Sequence, residues 1–185
     1  PISDPRADKI LGSLNKYYPN HSYYLIASDD SSKTKKKDFI EIGIKRNTSR
    51  FKKIKKSIFF CKQLKVDIII FNNIDFFWSA ILFFPKATFI YDTRENFAKN
   101  IRYQNHYSTL SKKILPTVII ILEYLATRLI QNQFLAEKCY GNELKSRLSK
   151  HVVTLENKAK SLTYTPTYTR NNFFITGTLS IEYGT

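Results

Sequence analysis

Methionine is absent from all 185 residues, and several other residue types are scarce. Five glycines and six prolines leave little room for low-complexity linkers, and no internal repeat is present. Gly12 and Gly141 stand isolated, so neither a GxGxxG turn nor a Walker sequence occurs and the chain carries no cofactor fingerprint of its own. The two cysteines, Cys61 and Cys139, lie far apart, with no CxxC pair and no histidine at ligand spacing. That pattern argues against a disulfide framework or a metal site and fits a reducing cytosol. No secretory signal is visible. The most apolar stretch, residues 118–130, is interrupted by Glu123, Thr127 and Arg128 and is too short to span a bilayer.

What is present points to a packed protein with a strongly biased surface. A hydrophobic fraction of 43% with 15% aromatic residues fits a globular core and argues against disorder. The length suits one domain better than two. Thirty Lys and Arg oppose fifteen Asp and Glu, and residues 33–65 hold thirteen of the cations against only Asp38 and Glu41. Eleven of the fifteen net positive charges therefore sit in less than one fifth of the chain. Such a field suits an anionic partner: a membrane surface, a phosphorylated substrate or nucleic acid. The plain alternative is that these lysines are simply solvated. Nucleic acid is the least favoured partner, because no DNA- or RNA-binding signature accompanies the charge.

Hydrophobic periodicity predicts strands alternating with helices. Asp4 and Pro5 suit a helix cap and first helical position, with Ile10, Leu11 and Leu14 forming an apolar stripe. Strands are expected over residues 23–27, 39–44, 66–71, 87–91 and 151–155, with weaker ones at 128–131 and 173–175. Phe51, Ile54, Ile58 and Cys61 share one face of a basic amphipathic helix, with Lys52, Lys53, Lys55 and Lys56 mostly on the others. A short helix over 76–84 closes at Pro85, and a long one over 109–127 is interrupted or restarted at Pro116. A further helix is expected to stop at Gly141, followed by another turn or two over 142–149. Alternation with short connections implies α/β architecture: a Rossmann-like parallel sheet flanked by helices on both faces.

The candidate site residues lie where apolar strands end in polar groups. These are Asn72, Asn73 and Asp75; Asp92, Arg94, Glu95 and Asn96; and Glu156, Asn157 and Lys158. Ligands of parallel α/β sheets bind beyond the carboxyl ends of the strands. Asp and Asn also begin loops and cap helices in any protein. The group at 92–96 is larger than a cap requires, and it carries the functional reading. His106 is a candidate base only as a lone surface histidine, and His21 and His151 read as structural. No Ser/His/Asp order is present, and no residue is singled out as catalytic.

In order, "DPRADKILGSLNKYYP", "VDIIIFNNIDFFWSAILFFPKATFIYDTRENF", "LEYLATRLIQNQFLAEKCYG", "VVTLENKA" and "FFITGTLSIEYGT" resemble the N-terminal half of GT-B glycosyltransferases of the family-4 type. Tyr91-Asp92-Thr93-Arg94-Glu95 is the most specific of these segments. Arg94 stands where many members have His, and the first strand that the family places before Asp4 is almost absent. The resemblance implies an N-terminal, acceptor-side domain over residues 1–172. Residues 173–185 would begin a linker or a C-terminal domain, and the chain reads as a fragment of a longer polypeptide.

The implied activity is retaining transfer of a sugar from a nucleotide-sugar to a glycan or lipid-linked acceptor, usually without a metal. The donor would be bound by the C-terminal domain, so this chain would hold no cofactor and would be inactive alone. Asp92, Arg94, Glu95, Asn96, Asn72, Asn73, Asp75 and Asn157 would line the acceptor side of the cleft. Lys52, Lys53, Lys55 and Lys56 would face an anionic membrane, placing the enzyme in the cytoplasm at the inner face of the cell membrane. Two alternatives share the same residues: a basic membrane- or nucleic-acid-binding module, and a sugar-nucleotide epimerase of the same fold.

Overall fold

A computed structural model describes residues 4–28, 34–35, 39–105 and 107–156. The expected site residue Asn157, His106 and the expected strand at 173–175 lie outside the described residues. The chain divides into two compact units, residues 1–89 and 90–185.

The first unit opens with helix α1 (Pro5–Tyr17), started as its sequence implies. The Asp4 side chain accepts from the amides of Arg6 and Ala7 at 3.0 and 3.2 Å, and Pro5 needs no amide partner at the first position. Strands β1 (Tyr24–Ala27), β2 (Thr34–Lys35) and β3 (Ile40–Gly43) form a sheet of order β1-β3-β2. The β1–β3 pair is parallel, with Ile26 opposite Ile42, and β2 is antiparallel to β3. Helix α2 (Arg50–Leu64) buries Ile58 and Cys61 and ends on Lys65 in the left-handed region, φ 50°. Strand β4 (Ile68–Phe71) and helix α3 (Ile74–Ala80) follow. Helix α3 begins two residues earlier than expected, directly after Asn73, and gives way to turns at 81–83 before Pro85.

An aromatic cluster fills this unit. The Phe77 ring is 1% exposed, stacks on Phe71 at 5.6 Å and meets Phe89 edge-on at 5.2 Å. Offset and edge-to-face pairs of this kind add to the area they bury.

Strand β5 (Thr88–Thr93) crosses the division, and the second sheet runs β4-β5-β6-β7, with β6 at Asn132–Leu135 and β7 at His151–Thr154. It is parallel throughout, as expected, with Tyr91 opposite Gln133 and Phe134 opposite Val153. Helix α4 (Phe97–Tyr103) was not expected from the sequence; Asn96 caps it by accepting from the Lys99 amide at 3.2 Å. Helix α5 (Thr109–Leu129) continues through Pro116, which forgoes one backbone hydrogen bond without ending the helix.

The strand expected at 128–131 is therefore corrected. Arg128 and Leu129 complete α5, Ile130 caps it, and the strand begins at Asn132. Gly141 lies inside helix α6 (Cys139–Leu144) rather than ending it, and a single 3-10 turn over Lys145–Arg147 takes the place of the helical turns expected at 142–149. Among the described residues no helix is long and apolar enough to cross a membrane.

Candidate functional site

Beneath the carboxyl ends of β5 and β6, the second unit holds a buried polar layer. Glu123, the only acidic residue of α5, is 2% exposed. Its carboxylate accepts from the Tyr91 hydroxyl at 2.9 Å and from Arg147 Nη1 at 2.6 Å. Burial, and then the Glu123 charge, push the Tyr91 hydroxyl well above the ordinary phenol range, so it remains a donor. Gln133, buried in β6, donates to Thr93 Oγ1 at 2.9 Å and accepts from the Ser149 amide at 2.8 Å. Polar side chains this deep persist when their hydrogen bonds are made, and this layer ties α5, β5, β6 and the segment before β7 together.

Above that layer lies the polar group anticipated at 92–96. Asp92 is buried at the end of β5, and Arg94 Nε donates to its Oδ2 at 2.8 Å. Glu95 accepts from Asn100 at 2.6 Å, and Asn96 donates to Glu143 at 3.2 Å. Lys99 pairs with the same Glu143 at 3.4 Å. The Asn96 bond, and next the one from Lys99, hold the Glu143 carboxyl below its ordinary range. Asn96, Lys99, Asn100, Tyr103, Glu137, Cys139, Tyr140 and Glu143 line a half-open cavity of about 440 Å³. Burial, and then Glu137, raise the Tyr140 hydroxyl. Because β5 and β6 run parallel, this cavity lies at the carboxyl edge of the sheet, where such folds bind ligands. Sequence reasoning found Asn96 but missed Lys99, Asn100, Tyr140 and Glu143, whose places depend on the unexpected helix α4 and on the shifted β6.

The first unit carries a second crevice of about 290 Å³, lined by β1, β4 and one face of α2. β1 and β4 belong to different sheets, and residues of both line this crevice. Asn72, Asn73 and Asp75 stand at this crevice, with Asp75 ion-paired to Arg50. Lys53 lines it too and donates to Ser28 Oγ at 2.7 Å. Of the four lysines expected to face a membrane, Lys52, Lys55 and Lys56 are exposed, while Lys53 is half-buried here.

Cys139 stands at the first cavity and Cys61 at the second. Burial pushes the Cys61 thiol up to about 11, whereas Cys139 is exposed and raised chiefly by its hydrogen bond to Glu137. Thiolate is the reactive form, so a raised pKa slows labelling at a given pH. An aromatic disulfide reagent at mildly alkaline pH should modify Cys139 in the native protein and leave Cys61 untouched until unfolding. Glu137→Gln should speed the Cys139 reaction; absorbance stopped-flow reads both rates.

Among the described residues, no group of three or more His, Cys, Asp or Glu could hold a metal ion. Comparison with protein-family models, with curated proteins and with solved structures found no match to this chain.

Proposed function

We propose that this chain is the acceptor-binding domain of a glycosyltransferase of GT-B type. In this reading, a nucleotide-sugar bound by a separate donor domain supplies the sugar, and a glycan or lipid-linked acceptor receives it. The observation that carries the reading is the cavity at the carboxyl ends of β5 and β6, edged by amide, carboxylate and ammonium groups and by Tyr103 and Tyr140. Planar amides and carboxylates match vicinal sugar hydroxyls as paired donors and acceptors, and tyrosine rings offer apolar faces beside them. The Asp92–Arg94 pair fits the same role: Arg94 is part-exposed, its Nε is held by buried Asp92, and its guanidinium could engage an acceptor phosphate. A cytoplasmic enzyme lying against the inner face of the membrane would meet a lipid-linked acceptor there.

Catalysis needs both reactants in one geometry, so this chain alone should bind acceptor without turning over a nucleotide-sugar. In the polypeptide that also carries the donor domain, Arg94→Ala should lower transfer about 10- to 100-fold, the loss expected for charge-assisted hydrogen bonds. Asp92 is buried and loses that donor in the variant, so some thermal destabilisation is expected as well, and turnover is compared per folded protein at a temperature where both proteins are folded. Wild-type turnover in that variant would remove Arg94 from the site. Turnover of nucleotide-sugar by this chain alone would overturn the division between two domains.

A further inference from the structure

The outward face of α5 is apolar along its whole length. Leu110, Ile114, Val118, Ile121, Leu125 and Leu129 recur at intervals of four, four, three, four and four, which places them on one side of the helix. Each is between 42% and 67% exposed. The opposite side is committed to the unit's interior through Pro116, Glu123, Ala126 and Thr127. A helix of 21 residues is about 30 Å long, so the stripe is far larger than a scattered surface leucine.

Charge on this helix is sorted as sharply as hydrophobicity. Its single carboxylate, Glu123, is turned inward and paired with Arg147. Its outward border carries exposed Lys113 and Arg128, the latter with its guanidinium 4.8 Å from the Tyr124 ring centre.

We propose that α5 is a membrane-docking helix that lies in the plane of an anionic bilayer. Its leucine and isoleucine stripe would enter the acyl boundary, with Lys113 and Arg128 at the lipid phosphates. A helix with one apolar face, a cationic border and an inward-facing acid fits that interface, and the four charged residues within α5 oppose a spanning arrangement. A second copy of this chain fits less well. It would bring the same cationic border and another +15 of net charge against the first, with no carboxylate on the face to answer them. The sequence points to the lysines of α2 as the membrane contact; α2 exposes Phe51 and Phe59 beside them, whereas α5 carries a continuous stripe of six exposed apolar residues. The proposal does not rest on sugar transfer, and its test needs no activity.

Cosedimentation of the full chain with phosphatidylglycerol–phosphatidylcholine vesicles tests it, with pure phosphatidylcholine vesicles as reference. Binding is expected on the anionic vesicles, weakening with salt and on neutral lipid. Ile121→Glu with Leu125→Glu should lower partitioning about tenfold or more while leaving the far-ultraviolet spectrum unchanged. Leu110→Gln with Leu129→Gln, at the helix ends, gives a second variant with the same expectation. Reversing Lys52, Lys55 and Lys56 to glutamate should weaken binding less than the α5 variants do. The proposal is overturned by absence of vesicle binding or by α5 variants that bind like the parent. It is also overturned if the α2 reversal alone abolishes binding, or if sedimentation without lipid shows a dimer that the α5 variants dissolve.

Discussion

Glu123→Ala should cost the second unit about 3–5 kcal/mol, a large share of a small domain's stability. The loss comes less from the bonds removed than from what they leave behind. Arg147 is 7% exposed and would keep its charge with its partner gone, and the Tyr91 hydroxyl, 2.9 Å from Glu123 Oε1, would lose that acceptor. Breaking one side of a buried pair is far worse than replacing both sides with apolar groups of similar volume. Glu123→Ala with Arg147→Met should therefore be more stable than Glu123→Ala alone. Urea unfolding followed by circular dichroism gives both midpoints. Equal stability of the single and double variants would mean that the charge left on Arg147 is not what costs.

Phe77→Ala should be comparably severe for the first unit, about 3–5 kcal/mol, for a different reason. No charge is involved. The ring is 1% exposed and contacts Phe71, Phe89 and Trp78, the last at 5.4 Å between ring centres. Removing it leaves a cavity bounded by rigid rings that cannot collapse to fill it. Trp78 is the sole tryptophan of the chain, so its fluorescence reports the loss directly. Phe77→Leu should recover much of it, because a smaller void remains. A loss near zero in Phe77→Ala would mean that the aromatic cluster repacks freely.

The frame of the fold was legible where apolar runs were continuous. Residues 66–71 and 87–91 read as buried strands and hold β4 and most of β5; of the stripe read on α2, Ile58 and Cys61 are buried, whereas Phe51 is exposed and Lys53 is half-buried. Reading failed where a polar residue was buried or an apolar one exposed. Asn132 and Gln133 looked like the exit from a strand, yet they belong to β6, because Gln133 finds partners on Thr93 and Ser149. Leu129 and Ile130 look like a strand, yet Leu129 finishes α5 and Ile130 caps it, and the solvent face of that helix is apolar as well.

The polar run at 92–96 begins inside β5 rather than after it, since Asp92 and Thr93 pair with Phe134 and Leu135, and its members play different parts. Asp92 is the penultimate residue of β5, Arg94 is ion-paired to it, and Asn96 both caps α4 and reaches Glu143. Nothing local in sequence announces Lys99 or Glu143 as members of the same cavity, because 44 residues separate them along the chain. Glu123 was visible as a lone acid in an apolar helix; its partner Arg147 was not.

The contrast between the two thiols has a practical consequence. With Cys61 inaccessible, a single fluorophore or spin label can be attached at Cys139 without engineering the chain. That position lies on the wall beside Tyr140 and Glu143, so any molecule settling among those side chains would alter the label's emission or its mobility. The protein thus carries its own optical gauge of occupancy, usable on candidate sugars and phosphates before any turnover can be assayed.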